Sequence, residues 1–304
     1  MKLILSTSII LLFSFSLQAQ YEYSYEETHA IAQDGLLTLD TEDAQVSITG
    51  TSRSDAYVKI YKKVTGKQKT NQEFDIEYIE EDGNLTIKEK RRKSSYTTGW
   101  NTKTIYEVEL GLPAGVSIDI KGEDDNYTIT NINGKMKIHS EDGDIEISDC
   151  NPIRLDIHLE DGDIQLTNVN TETDIQLEDG NIKADNCAFG NTALNLVDGD
   201  IKLNDVSLGT AKIITEDGNV SISVKCDSKT QVKINTEDGD IKLKTSGEGS
   251  TIGVSYQDGD VDYNSGDYDL IHKTKRSKEL KTKKSGEASF VISVEDGDVR
   301  LSNN

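Results

Sequence analysis

The residues best suited to chemistry in this chain are aspartates and glutamates that recur around a glycine. The motif Glu-Asp-Gly-Asp-Ile appears, with small variations, in eight copies centred on Gly143, Gly162, Gly180, Gly199, Gly218, Gly239, Gly259 and Gly297. Carboxylate oxygens are the ligands that Ca²⁺ prefers. The repeat therefore predicts a candidate cation site, here called the acidic ridge, formed by Asp142, Asp144, Asp161, Asp163, Asp179, Asp198, Asp200, Asp217, Asp238 and Asp240.

A solvated acidic face is the alternative interpretation of the acidic ridge, and the sequence favours it. Stacked carboxylates about 4.8 Å apart repel one another by about 1 kcal/mol per pair in water. Such charges also keep an exported rod in solution. The spacing matches neither the EF-hand loop nor the glycine-rich nonapeptide calcium repeat. Ca²⁺ is the only cofactor under consideration.

Two histidines form a second candidate metal site. His139 and His158 each stand four residues before a motif glycine, so stacking the copies makes them outward neighbours beside Glu141 and Glu160. Imidazole and carboxylate ligands together suit a transition metal. Two stacked surface histidines without a metal are the commoner arrangement.

The spacing of the motif glycines indicates which elements position these residues. Successive glycines lie 19, 18, 19, 19, 21, 20 and 38 residues apart, and the last interval spans two periods. Apolar residues stand five before, two after and four after the glycine, as in Ile138, Ile145 and Ile147, with polar residues between them. This alternation on both sides of a turn is typical of two strands with one buried face.

One such copy is too short to bury its own apolar face, so neighbouring copies must stack. The sequence therefore predicts an all-β fold, a single-chain parallel β-solenoid (β-helix) with coils of about 19 residues. Roughly eleven coils with right-handed winding are expected, with weaker copies at residues 41–44, 81–84 and 123–126. An antiparallel sandwich or barrel is the alternative, but it does not explain the constant phase of the repeat.

The chain divides into three regions. Residues 1–19 have the positive start, apolar run and small residue of a secretory signal peptide. Residues 20–33 form an N-terminal lead-in or cap, and residues 34–304 form the repeat domain. Basic runs near 88–104 and 264–286 are predicted to be inserted loops. The favoured interpretation is a solvated loop, which can fold back on the acidic ridge, and the alternative is a docking surface for an anionic glycan or for the acidic face of a second copy.

Composition excludes several classes of function. The 304 residues include 33 Lys and Arg against 55 Asp and Glu, which is a net charge of −22. This charge argues against binding nucleic acid or anionic lipid. The apolar run at the start is shorter than the roughly 20 residues that span a bilayer, and no later stretch of the sequence is suitable. We expect an exported protein of the periplasm or cell surface, with no transmembrane segment in the mature chain.

The three cysteines are predicted to be buried thiols without a disulfide. Cys150 and Cys187 stand seven residues after a motif glycine, where the copies next to them have Val169 and Val206. Two coils separate them by about 9.6 Å, beyond the roughly 7 Å limit for the Cα atoms of a disulfide. Cys226 lies one position out of this phase.

Two sequence features are shared with a known family. One is the segment from Val108 to Ile118, Val-Glu-Leu-Gly-Leu-Pro-Ala-Gly-Val-Ser-Ile, and the other is the series of Gly-Asp-Ile turns from Gly143 to Gly297. Over about residues 34–301 the chain resembles the bacterial putative-adhesin family, a domain-of-unknown-function group of β-strand repeats. The resemblance implies a solenoid at the cell envelope or surface and supplies no catalytic residues.

These observations predict an exported, non-enzymatic β-solenoid that acts as an adhesin-like or scaffolding surface of the bacterial cell envelope. No motif of a serine hydrolase, zinc protease, phosphate-binding loop or dinucleotide-binding fold occurs in the sequence. The expected partner is an envelope or extracellular glycan or protein. The two alternatives are a Ca²⁺-dependent binding module that uses the acidic ridge and a polysaccharide-cleaving β-helix enzyme that uses a carboxylate pair.

Overall fold

Residues 20–65, 74–90 and 103–303 are described in the computed structural model of the chain. Every regular element in these ranges is a β-strand, so the prediction of an all-β fold is confirmed. Within the same ranges there is no helix long and apolar enough to cross a membrane. The predicted signal peptide, residues 1–19, and most of the predicted insertion near 88–104 lie outside the described residues.

The described residues form 27 strands. In chain order they are β1 (Gln20–His29), β2 (Leu36–Asp40), β3 (Gln45–Thr51), β4 (Ala56–Thr65), β5 (Ile76–Glu81), β6 (Asn84–Glu89), β7 (Lys103–Pro113), β8 (Ser117–Lys121), β9 (Asn126–Thr130), β10 (Met136–Asp142), β11 (Ile145–Ser148), β12 (Arg154–Asp161), β13 (Ile164–Thr167), β14 (Asn170–Asp179), β15 (Ile182–Asp185), β16 (Ala188–Asp198), β17 (Ile201–Leu208), β18 (Thr210–Asp217), β19 (Val220–Cys226), β20 (Gln231–Asp238), β21 (Ile241–Gly247), β22 (Ser250–Asp258), β23 (Val261–Tyr263), β24 (Tyr268–Lys273), β25 (Ser277–Thr282), β26 (Ala288–Asp296) and β27 (Val299–Asn303).

These strands form two ladders that meet at the motif turns. In ladder A the order along the stack is β1, β4, β7, β3, β9, β11, β13, β15, β17, β19, β21, β27 and β23. In ladder B the order is β5, β6, β2, β8, β10, β12, β14, β16, β18, β20, β26, β22, β25 and β24. The strands from β7 to β23 in ladder A and from β6 to β22 in ladder B are parallel, and those beyond them are antiparallel, so the sheet is mixed.

Equivalent residues of successive copies lie side by side in both ladders. In ladder A, Ile145 pairs with Ile164 and Ile164 pairs with Ile182. In ladder B, Ile138 pairs with Ile157 in the same way. Neighbouring strands are about 4.8 Å apart, so each row of equivalent residues forms a column along the stack. The common column that the repeat predicts is therefore present.

The core lies between the two ladders. Because successive side chains of a strand point to opposite faces, the alternating pattern directs Ile, Leu and Val inward from every copy. These buried side chains form one cluster that extends from Ile31 to Leu301. Burial of apolar area, at roughly 25 cal/mol per Å², therefore acts along the whole stack, and no single copy has a core of its own.

Stacking departs from chain order at both ends. β2 lies between β6 and β8, and β3 lies between β7 and β9, so the first copy is enclosed by two later ones. At the other end β26 lies between β20 and β22, and β27 between β21 and β23. The prediction that each copy stacks on the next is therefore wrong at the ends, because excursions of the chain supply the outermost strands.

An antiparallel hairpin covers the C-terminal end of the stack. β25 pairs with β22, and β24 pairs with β25. This hairpin accounts for the 38-residue interval before Gly297. It also corrects the prediction of an inserted loop near 264–286, because most of that segment is strand.

A second hairpin lies at the other end of ladder B. β5 and β6 are joined by Asp82 and Gly83, whose φ angles of 50° and 78° are both positive. Two positive φ angles in a two-residue Asp-Gly loop are typical of a type I′ hairpin turn. The weak copy predicted at 81–84 is therefore a hairpin rather than part of the acidic ridge. Lys88, predicted to lie in a loop, lies on β6 with its Nζ 3.1 Å from Asp40 Oδ2.

All three cysteines are buried and free, as predicted, although only Cys150 and Cys187 share the phase of the repeat. The Sγ of Cys150 donates to Ser148 O at 3.1 Å, and the Sγ of Cys187 donates to Asp185 O at 3.3 Å. Burial raises the pKa of Cys226 to about 11. A thiol held in its protonated form is a poor nucleophile, so these side chains serve as core residues.

Candidate functional site

The acidic ridge exists as a row of carboxylates along one corner of the stack. The aspartate before each motif glycine ends a strand of ladder B and pairs with its equivalent in the next strand of that ladder. The row consists of Asp142, Asp161, Asp179, Asp198, Asp217, Asp238, Asp296 and Asp258. All eight residues are exposed. The structure thus brings together the side chains that the sequence predicted to be neighbours.

Glycine is required at the centre of each turn of the ridge. A Cβ atom on Gly199 would lie 1.9 Å from the carbonyl oxygen of Gly180, and a Cβ atom on Gly218 would lie 1.9 Å from that of Gly199. The φ angles of these glycines lie between 130° and 145°. Residues with a side chain rarely adopt this region. The glycines therefore allow the turns to stack in direct contact.

The second aspartate of the motif has a structural role. Asp144 Oδ1 accepts a hydrogen bond from the backbone N–H of Asp163 at 2.9 Å. Asp163 Oδ1 in turn accepts from the backbone N–H of Asn181 at 2.9 Å, and Asn181 Oδ1 accepts from that of Asp200 at 3.1 Å. The same link continues through Asn219 and beyond. Each side chain therefore joins one turn to the next, and asparagine does so as well as aspartate.

Crowding along the row raises the pKa of two of its aspartates. The pKa of Asp161 is raised by desolvation within the row and by the charges of Asp142 and Asp179. The pKa of Asp198 is raised for the same reasons by desolvation, Asp179 and Asp217. The stacked ridge therefore favours protonation, or a counter-ion, over an isolated carboxylate.

The structure also places His139 and His158 side by side. They pair in register, and their rings are stacked with centroids 4.9 Å apart and an interplanar angle of 15°. Lys121 and Gln176 are the next residues in the same row. In the described part of the chain, no group of three or more His, Cys, Asp or Glu side chains is arranged to hold a metal ion. Metal binding by the ridge or by this pair stays a prediction.

A second corner of the stack carries an amide ladder that the sequence analysis missed. Asp149, Asn168, Asn186 and Asp205 all have φ between 51° and 55°. The Nδ2 of Asn168 donates to Asp149 Oδ1 at 2.8 Å, and the Nδ2 of Asn186 donates to Asn168 Oδ1 at 2.6 Å. Asn and Asp tolerate this left-handed conformation better than other residues with a side chain. The recurrence of Asn or Asp six residues after the motif glycine is the signal that could have revealed it.

A groove of ligand-sized dimensions lies on the outer face of ladder A. We call it the Gly111 groove. Its volume is about 640 Å³, within the range of about 300–1,000 Å³ for small-molecule sites. Strands β3, β4, β7 and β9 supply its walls, and its lining includes Ser47, Thr49, Arg53, Tyr57, Glu109, Gly111 and Thr128.

Gly111 creates the depth of this groove. It is a half-buried position on the outer face of β7, opposite Tyr57 on β4. A Cβ atom there would lie 3.5 Å from Tyr57 Cβ and 3.7 Å from Arg53 Cδ, which are ordinary contact distances. A side chain would therefore fit at position 111 and would occupy the groove. A glycine within a strand often marks close approach of a ligand or backbone, and this was the available sequence signal.

The wall of the groove is held in place by polar contacts. Arg53 Nη2 lies 2.7 Å from Asp55 Oδ1, and its guanidinium lies 5.7 Å from the centroid of the Tyr57 ring. The Tyr57 hydroxyl donates to Glu26 Oε1 at 3.1 Å. Desolvation and the Glu26 carboxylate raise the pKa of Tyr57. The phenol therefore stays protonated and presents a neutral aromatic face beside the groove.

A family model describing the Toastrack DUF4097 domain matches residues 36–302. The chain belongs to the Toastrack DUF4097 family. This match confirms the family resemblance inferred from the sequence. The matched residues include the acidic ridge and the strands β3, β4, β7 and β9 that form the Gly111 groove. No curated protein matches the sequence of this Toastrack chain.

Two solved structures show the same fold. A structure described as a putative adhesin from Parabacteroides distasonis ATCC 8503 is 12% identical, with a TM-score of 0.53 and coverage of 92% of this chain and 97% of the other. A structure described as a putative lipid binding protein from the same strain is 13% identical, with a TM-score of 0.53 and coverage of 93% and 98%. At this identity the likeness of the Toastrack chain to both concerns the fold alone.

The two surfaces of the Toastrack chain differ in what they can do chemically. The ridge offers a uniform row of carboxylates, and five of the motif's aspartates already join one turn to the next. The Gly111 groove is a single site that combines an aromatic face, hydroxyl groups and a carboxylate. The groove is the better candidate for selective binding.

Proposed function

We propose that this chain is an exported, non-enzymatic, adhesin-like surface protein of the bacterial envelope that binds a neutral carbohydrate in the Gly111 groove. The main support is the groove itself, a ligand-sized concavity on an otherwise regular ladder. Membership of a family whose structural relatives include an adhesin-like protein agrees with this role. We further propose that the stack winds as a right-handed solenoid with coils of about 19 residues, as the motif spacing indicates.

The lining of the groove suits a sugar. The ring of Tyr57 offers an apolar face that can contact the C–H groups of a pyranose. Tyrosine also supplies a large contact area at a low cost in conformational entropy. Ser47, Thr49 and Thr128 offer hydroxyl groups that both donate and accept hydrogen bonds. Glu109 Oε2 is paired with Lys59 Nζ at 3.0 Å, and the other carboxylate oxygen can accept a hydrogen bond from a sugar hydroxyl. These groups together match the alternation of polar and apolar edges on a carbohydrate.

The proposal is tested by filling the groove. Gly111→Val places a branched side chain in the concavity, its Cβ would stand at ordinary contact distances, and valine favours a strand. Gly253→Val is the matched control, because Gly253 is a half-buried strand glycine in ladder B whose Cβ would meet only Phe290 O at 4.0 Å. We expect a glycan array to show binding by the wild type and the control, and no binding by Gly111→Val.

Four results would overturn parts of the proposal. Equal glycan binding by Gly111→Val and the wild type would exclude the groove as the site. Binding that requires Ca²⁺ and survives Gly111→Val would favour the acidic ridge instead. Release of reducing ends from a bound polysaccharide would show an enzyme. Protection of the chain from protease added to intact cells would contradict a surface location.

A further inference from the structure

The hairpin formed by β24 and β25 differs in charge from the rest of the rod. Residues 268–284 contain seven Lys and Arg against two Asp and Glu. Residues 103–267 contain thirteen Lys and Arg against thirty-four Asp and Glu. The Debye length is about 8–10 Å at moderate salt. An approaching surface therefore senses the hairpin and the residues next to it more strongly than the net charge of −22.

The hairpin is also the last element of ladder B. β25 pairs with β22 on one side and with β24 on the other, and among the described strands β24 has no further partner. Lys278 fastens the hairpin to the stack, since its buried Nζ donates to Asp260 Oδ1 at 3.1 Å and to Val261 O at 2.9 Å. The remaining basic side chains at its surface include Lys273, Lys275, Arg276 and Lys281, all exposed.

Two neighbouring aliphatic side chains are exposed on this last strand. Leu270 is 43% exposed and Ile271 is 56% exposed. The pairing of β24 with β25 shifts register between Leu270 and His272, so the usual alternation is interrupted at Ile271. Exposed aliphatic residues on an edge strand promote aggregation, and proteins normally avoid them. Their presence on a hairpin rich in basic residues calls for a partner that accepts both.

An anionic bilayer fits this combination better than the other anionic partners. Lipid headgroups attract Lys and Arg, and the acyl boundary accepts apolar side chains to a depth of about 5–10 Å. An acidic polysaccharide or the acidic ridge of a second copy would pair with the basic residues but would leave Leu270 and Ile271 in water. The acidic body of the rod would be repelled by the same membrane, so only its end could approach.

We propose that the β24–β25 hairpin docks this rod end-on to an anionic lipid surface, with Leu270 and Ile271 inserted between the headgroups. The rod then stands away from the membrane. The Gly111 groove, which lies near the opposite end of the stack, faces outward. The docking surface does not depend on the groove binding a carbohydrate.

The test is flotation of the purified protein with vesicles of phosphatidylcholine, with or without phosphatidylglycerol. The wild type is expected to float only with the anionic vesicles and to be released by high salt. A Lys or Arg near an anionic surface contributes about fivefold in partitioning. The variant Lys273→Glu, Arg276→Glu is therefore expected to bind at least about thirtyfold more weakly. Lys278 is left unchanged because it anchors the hairpin.

The matched control is Lys212→Glu, Lys233→Glu, which changes the net charge equally at exposed positions on ladder B. It is expected to float like the wild type. A second pair of variants tests the apolar side chains. It compares the double variant Leu270→Ser, Ile271→Ser with Ile153→Ser, because Ile153 is 67% exposed and lies outside the hairpin. Only the hairpin variant is expected to lose binding. Unchanged melting temperatures show that each variant is folded.

Several results would overturn the proposal. One is an equal loss of vesicle binding in the hairpin variant and in its control. The others are equal flotation of the wild type with neutral and anionic vesicles, and no flotation of the wild type with either. Binding to polygalacturonate but not to vesicles would assign the hairpin to an acidic glycan. A salt-sensitive dimer in light scattering, abolished by Lys273→Glu, Arg276→Glu and accompanied by no flotation, would assign it to a second copy. Loss of glycan binding by Gly111→Val leaves all these readouts unaffected, so the two proposals fail separately.

Discussion

Replacing one glycine of the acidic ridge by alanine tests whether the turns stack in direct contact. In Gly199→Ala the new Cβ would lie 1.9 Å from the carbonyl oxygen of Gly180, and the residue would have to hold a φ of 130°. The close contact arises from the neighbouring copy, and the unfavourable φ arises from the turn. The added side chain is only a methyl group. Gly111→Ala is the matched control, because its Cβ meets other atoms only at 3.5 Å or more.

The magnitude follows from these two obstacles. Holding alanine in a glycine-only region of φ costs about 1–3 kcal/mol. Moving the backbone to relieve the contact costs about 1–3 kcal/mol more, the same as overpacking a core. The free energy of unfolding is expected to fall by roughly 2–6 kcal/mol. At about 2–4 °C per kcal/mol, Tm falls by roughly 5–20 °C. The control is expected to change little or to gain about 0.5–1 kcal/mol, because alanine has less unfolded-state freedom than glycine.

Circular dichroism at the strand signal, followed during heating, measures both variants. Hydrogen exchange then locates the damage, which should centre on the turns of β16–β17 and their neighbours, because a repeat stack is stabilised through nearest-neighbour contacts. If Gly199→Ala and Gly111→Ala melted at the same temperature as the wild type, the turns would not be in contact. The column of glycines would then need another explanation.

Four further outcomes are expected. Asp163→Ala removes the acceptor for the backbone N–H of Asn181 and should cost about 1 kcal/mol, whereas Asp163→Asn keeps an acceptor and should melt close to the wild type. Desolvation and neighbouring charges raise the folded-state pKa of Asp161, so the folded stack binds protons more readily than the unfolded chain. Tm should therefore rise as the pH is lowered from 7 toward the ordinary Asp pKa of about 4, and Asp161→Asn should reduce the rise. Burial and the raised pKa of Cys226 predict that a thiol reagent labels no cysteine in the native protein and three after unfolding. Ca²⁺ binding by the acidic ridge requires Tm to increase at millimolar Ca²⁺ but not with an equal ionic strength of NaCl, and an unchanged Tm would reject that alternative.

The regular part of the fold was predictable because its causes are local. Whether a residue such as Ile145 or Ile164 faces inward depends only on its place in an alternating strand, and the glycine that resets the alternation is visible in the sequence. The same phase located two of the buried cysteines, Cys150 and Cys187, and the pair His139 and His158. The alternating pattern of each copy then brought equivalent residues together, since a one-residue offset would turn apolar side chains toward water.

The acidic ridge was located correctly, but its chemistry was only half predicted. The sequence identified the carboxylates, and the structure showed that Asp144 and Asp163 accept backbone hydrogen bonds from the next turn. In one copy the motif aspartate is replaced by asparagine, Asn181, and this replacement carries the same information in retrospect. The amide oxygen of asparagine accepts the same hydrogen bond without a charge.

By itself the sequence determined the strands, their inward faces and the repeated corner, since these depend on side-chain alternation and on turns within a single copy. Only the tertiary structure decided the order of copies at the two ends, the hairpin that presents Leu270 and Ile271, and the meeting of Tyr57 with Gly111. These features arise from pairing between strands that are distant in the chain. The backbone hydrogen bonds of such pairs are the same for every residue type, so the choice of partner depends on how the whole core closes.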